Sequence, residues 1–115
     1  MTTEATTEIS ERKYQAMEIM NQLGGRQFIA MTGARFITYD EKAESANLAF
    51  KFMGSRNANH IKIVLDAMDT YTVTFFKIRG ASFKEVSTHE GIYNDMLQEL
   101  FTEVTGLYTT LAKRK

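Results

Sequence analysis

Cysteine, proline and tryptophan are all absent from this chain of 115 residues. Without cysteine there is no disulfide and no thiolate metal ligand, so the chain gains nothing from an oxidising compartment. Without proline it lacks the usual mark of a stiff linker, and the length itself suits one domain. Net charge is missing too: fourteen basic residues balance fourteen acidic ones. That balance argues against a strongly basic nucleic-acid coat and against an acidic nucleic-acid mimic. It leaves room for a local basic face. The opening "MTTEATTEISERK" has no apolar stretch of the kind a secretory signal needs, and no run approaches membrane-span length. A cytoplasmic protein without membrane contact is expected. What is present is ordinary for a globular domain, with 43% hydrophobic and 24% charged residues.

The pattern along the chain predicts helix, strands, helix. Residues 1–7 are Thr-rich and read as a disordered start, 8–112 as one domain and 113–115 as a basic tail. From Glu8 to Leu23, Ile9, Ala16, Met20 and Leu23 recur near one helical face, and Gly24 stops the helix. "QFIAMT" reads as a strand, with Gly33 as a bulge or hairpin corner before a strand at "RFITYD". "ANLAFKFM", "HIKIVLD" and "YTVTFFKIRG" then alternate with period two. Ala46, Leu48, Phe50, Phe52, Ile61, Ile63, Leu65, Tyr71, Val73 and Phe75 fall inward; Lys51, Lys62, Thr72, Thr74, Phe76 and Ile78 fall on the other face. "ASFKEV" suggests a short edge strand. Ser87 and Glu90 have capping-box spacing before a stripe of Ile92, Met96, Leu100, Val104, Leu107 and Leu111, which predicts a second long helix with Gly106 inside it. The expected architecture is α+β: an antiparallel sheet of four or five strands with an N-terminal and a C-terminal helix on one face.

Chemistry-bearing motifs are few. The stretch "GGRQFIAMTGARF" has a glycine pair and two arginines. A phosphate loop follows a strand and opens a helix, and it ends in Gly-Lys-Ser/Thr or carries GxGxxG. Here the glycine pair follows a helix, so a structural corner is the plainer reading. Asp66 and Asp69 share one turn but lack a third ligand and the calcium-loop spacing, which favours a hairpin. His60 and His89 have no metal-ligand spacing, and no GxSxG or SxxK accompanies the serines. The chain reads as a non-enzyme with no cofactor.

The basic residues between the helices make the one suggestive constellation. Arg26, Arg35, Lys51, Lys62, Lys77 and Arg79 would contact phosphates, and Tyr39 or Phe76 would stack on bases. The competing reading is a solvated sheet face rich in lysine and threonine. A second partner class, a host or phage protein, would use the apolar part of the same face or the last helix, and a homodimer stays open.

Taken together, "LGGRQFIAMTGARFITYD", "YTVTFFKIRG" and "EGIYNDMLQELFTEVTGLYTTL" resemble a group of short bacteriophage and mobile-element proteins over residues 20–111. The group brings no biochemical role and no site residues. What the resemblance implies is a context, the bacterial cytoplasm during phage infection. Small accessory proteins there bind DNA, RNA or a host defence factor. The expected function is nucleic-acid binding (single-stranded DNA or RNA) by the basic and aromatic sheet face. An inhibitor of a host factor, of anti-defence or anti-CRISPR type, is the alternative.

Overall fold

The structure is a computed structural model and describes residues 10–109. The expected disordered start, the helix start at Glu8 with Ile9, Leu111 of the apolar stripe and the basic tail lie outside those residues.

Helix α1 spans Glu11–Leu23. Ser10 caps it: its hydroxyl accepts from the Lys13 amide at 3.0 Å. Ala16, Ile19, Met20 and Leu23 are buried at helical spacing, and α1 packs on strand β2, Asn47–Lys51. Gly24 ends α1 with φ +132°, and its amide bonds the Asn21 carbonyl at 3.1 Å. A side chain here would be strained, and its Cβ would meet the Phe28 Cβ at 3.0 Å and the Thr109 carbonyl oxygen at 3.2 Å.

The stretch expected as a strand, "QFIAMT", belongs instead to helix α2, Gly25–Thr32. Phe28 and Thr32 are one helical turn apart and both buried, and the Thr32 hydroxyl donates to the Phe28 carbonyl at 2.8 Å. Short apolar runs fit both periods, and here tertiary packing decided: Phe28 inserts edge-on between Phe50 (5.6 Å) and Phe101 (4.9 Å). Gly33 is accordingly the left-handed cap of α2, φ +69°, and not a bulge.

Strands β1 (Arg35–Thr38), β2, β3 (His60–Leu65), β4 (Tyr71–Arg79) and β5 (Ser82–Ile92) form one antiparallel sheet in sequential order. The expected inward residues of β2 to β4 are buried, with Leu65 partly so. The β3–β4 connection holds Asp66 and Asp69. The Asp66 carboxylate accepts from the Met68 amide (2.8 Å), the Thr70 amide (3.2 Å) and the Thr70 hydroxyl (2.8 Å). Those bonds hold its carboxyl below the usual carboxylate range, the Thr70 hydroxyl contributing most. Its lone pairs serve the turn.

β5 is the largest departure from expectation. The short edge strand is eleven residues long, and Ser87 and Glu90 lie within it. Ser87 pairs with Phe75 and Thr88 with Thr74, so the ladder to β4 takes the backbone groups a capping box would have used. His89, expected in a helical turn, points its ring edge-on at Phe75, 5.9 Å away. The turn Gly80–Ala81 explains the strand's length. Arg79 pairs with Ser82 across it, and Gly80 takes φ +55°, as a two-residue hairpin requires.

After a turn of 3-10 helix at Asn94–Met96, helix α3 runs only from Leu97 to Thr105. Gly106, φ +81°, ends it, its amide bonding the Thr102 carbonyl at 2.8 Å. The glycine expected inside the helix is its cap. The helices of the described residues lie on one face of the sheet, over a core in which Phe101 touches Phe28, Phe52 and Phe75.

Candidate functional site

The register of the sheet assigns every side chain of the second face. One row across the strands reads Arg35, Lys51, His60, Phe76, Glu85. The next reads Thr38, Ala49, Lys62, Thr74, Thr88. Ile78 and Phe83 pair beyond the first row. Among the described residues no helix covers this face, because the helices sit on the opposite one.

The sheet twists and curls, so that residues of all five strands line one trough of about 240 Å³. Phe36 of β1 and Phe83 of β5 come from opposite edges, with Lys51, His60, Lys62, Phe76 and Ile78 between them. Phe36 is 72% and Phe83 61% exposed, unusual for phenylalanine. Phe83 meets Phe76 edge-to-face at 5.1 Å.

Phe36 owes its place to a bulge. Arg35 pairs with Lys51 but Thr38 with Ala49, so Phe36 and Ile37 together oppose Phe50. Phe36 takes φ +54°, a left-handed conformation that costs a bulky side chain on the order of 1–2 kcal/mol. Little packing compensates for this, given its exposure.

His60 lines the trough, and its neighbour Asn59 braces it. Asn59 acts as an extra rung of the sheet: its Nδ2 donates to the Ile78 carbonyl and its Oδ1 accepts from the Ile78 amide, both at 2.9 Å. The same Oδ1 lies 2.8 Å from His60 Nδ1. Burial, and secondarily the Lys51 ammonium, push the His60 imidazole below its usual pKa. Both causes favour the neutral ring.

Of the residues expected to form the site, Arg35, Lys51, Lys62 and Phe76 lie on this face. The others lie elsewhere. Lys77 and Arg79 alternate with Phe76 and Ile78 and so point to the helical side, where Lys77 Nζ donates to the Arg56 carbonyl. Tyr39 packs against the core. Arg26 is exposed on α2, within the helical layer. The "GGR" pair does open a helix, but the Thr109 carbonyl already sits against Gly24.

Phe36, His60 and Phe83 were missed. For Phe83 the signal existed: a turn at Gly80–Ala81 places residue 83 opposite residue 78. For Phe36 there was none, since a bulge leaves no mark in an alternation pattern. No family model, curated protein or solved structure matches this chain.

Proposed function

We propose that this protein binds single-stranded nucleic acid along the open face of its sheet. Bases stack on Phe36, Phe76 and Phe83, and backbone phosphates meet Arg35, Lys51 and Lys62. The observation that carries the reading is the trough itself. It joins the rings of Phe36, Phe76 and Phe83 to the ammonium groups of Lys51 and Lys62, and no acid of the described residues lines it. Aromatic platforms beside cations are how sequence-tolerant single-strand binders work, because every base has a π-face and every nucleotide a phosphate. The resemblance to phage proteins supports an accessory role in an infected bacterium.

Fluorescence anisotropy with short single- and double-stranded oligonucleotides, at low and physiological salt, tests this. Single strands should bind more tightly, and affinity should fall as salt rises. Lys51→Glu with Lys62→Glu should weaken binding at least about tenfold and flatten the salt slope by roughly 1.4, at about 0.7 for each phosphate no longer neutralised. Absence of binding at low salt, or indifference to both substitutions, would sink the reading. A protein partner is the second reading, favoured by Phe36 and Ile37 standing exposed on the edge strand β1. Its signature is a stoichiometric companion that survives nuclease treatment.

A further inference from the structure

We propose that the pocket between the β3–β4 turn and the end of β5 binds a guanidinium group, the arginine side chain of a peptide, between the Asp69 carboxylate and the Tyr93 ring.

The register builds this pocket. Leu65 ends β3 and pairs with Tyr71, which begins β4 and pairs with Ile92 at the end of β5. Tyr93 and Asn94 follow Ile92 directly, and the β3–β4 turn supplies Asp69. Leu65, Asp69, Tyr71, Tyr93 and Asn94 line a cavity of about 310 Å³. That is the lower end of the roughly 300–1,000 Å³ range of small-ligand pockets, a size for one side chain. Leu65 stands at the opposite end of β3 from His60, about 17 Å along the strand at ~3.4 Å per residue. The pocket is therefore separate from the trough and independent of the nucleic-acid reading.

Asp69 is the residue that needs explaining. Its φ is +65°, in the left-handed region. Glycine or asparagine serves such a turn position at least as well, so the backbone does not require a carboxylate there. Nor does the turn use one. The Asp66 carboxylate accepts the hydrogen bonds from Met68 and Thr70, whereas Asp69 contributes its amide, which donates to the Asp66 carbonyl at 3.2 Å. Among the described residues the Asp69 carboxylate accepts no hydrogen bond, and the Asn94 side chain makes none. Both line the pocket beside Tyr93, which is 58% exposed.

The charge around the pocket has one sign. No lysine or arginine lines it. Asp66 shares the turn with Asp69, and Asp95 follows Asn94. Glu18 reaches the site from α1. Burial pushes the Tyr71 phenol above its ordinary pKa, and the Glu18 carboxylate adds to the rise, against the bond between the phenol and Gln22. That field favours a cation. A guanidinium suits the lining better than an ammonium does. Its planar fork makes two parallel hydrogen bonds to one carboxylate, and its flat face stacks on an aromatic ring. The Asn94 side-chain carbonyl is a further acceptor for its other N–H groups. The α-carboxylate of free arginine would find no cation here, which favours an arginine within a peptide.

The test is a nuclear magnetic resonance titration with Nα-acetylarginine amide, beside the citrulline and lysine compounds blocked in the same way. Citrulline keeps the shape without the charge, and lysine keeps the charge without the fork. The arginine compound should bind with a Kd of about 1 mM and shift the amide signals of Asp69, Tyr93 and Asn94. The citrulline compound should bind at least about tenfold more weakly, the loss expected when charge-assisted hydrogen bonds go. The lysine compound should fall between them. Free arginine should bind no more tightly than the blocked form; tighter binding overturns the assignment to a peptide. Asp69→Asn keeps a residue that tolerates the left-handed conformation and should abolish the preference for arginine over citrulline. Tyr93→Leu should narrow the gap between arginine and lysine. The series of compounds needs only the unaltered protein, so the proposal stays exposed even if a variant misfolds. Equal binding of arginine and citrulline overturns it, as do shifts confined to other residues or a preference that survives Asp69→Asn. So does an absence of shifts at concentrations well above that Kd.

Discussion

The two faces of the sheet carry the same alternating strands and met opposite fates. On the inward side Phe52 and Phe75 meet Phe28 of α2 and Phe101 of α3, all four fully buried, with Phe28 and Phe52 edge-on to Phe101 and Phe75 tilted against it. The open face also has aromatic residues, yet Phe36 and Phe83 stand in solvent among lysines, and one of them pays for its position in backbone strain. Aromatic content does not separate the faces; coverage does. Where helices supply a matching apolar layer, phenylalanine is core. Where none is supplied, the same residue type is a surface held ready for something else.

Substitutions on the two faces should therefore separate stability from binding. The largest effect belongs to Phe101→Ala, which empties the centre of the aromatic cluster and should cost about 3–5 kcal/mol in chemical denaturation. Any loss of oligonucleotide affinity in that variant should track the unfolded fraction. Phe83→Ala is its counterpart. It should leave the melting temperature almost unchanged and weaken single-strand binding by about 1–3 kcal/mol, the worth of one stacked base. A large drop in melting temperature would show that the two faces are not independent.

Phe36→Gly sharpens the contrast. Glycine accepts φ +54° without strain, though it also gains freedom in the unfolded chain. Stability should stay level or rise by up to about 1 kcal/mol while oligonucleotide affinity falls. If stability drops instead, the ring is structural and the strain serves packing.

The smallest expected effect is on pH. The folded state holds the His60 pKa below its ordinary value, so between the two values the unfolded chain binds the extra proton. Stability from this group is complete above the ordinary histidine range and is lost as pH falls through the lowered value. Thermal melts of the free protein across that window should show a decline that His60→Ala reduces. An unchanged slope in His60→Ala would assign the decline to other groups.

Period-two alternation named the buried residues of β2 to β4 and put Lys51, Lys62, Thr74, Phe76 and Ile78 on the second face, because in a strand the neighbour of an inward residue must point outward. The change of period from helical to two along the chain gave the α+β class, and Gly24, as a helix-stopping glycine, marked the end of α1. Local pattern failed where a residue's role depends on what comes to meet it. "QFIAMT" became a helix because Phe50 and Phe101 receive Phe28, and Ser87 joined a strand because β4 offered a ladder. The open trough depends most on tertiary structure. It requires a bulge at Phe36 and Ile37, a curl that brings β1 and β5 to one surface, and an asparagine whose amide bonds Ile78 across the sheet. Each is a relation between residues distant in sequence, and local periodicity records only how a segment divides its own side chains between two faces.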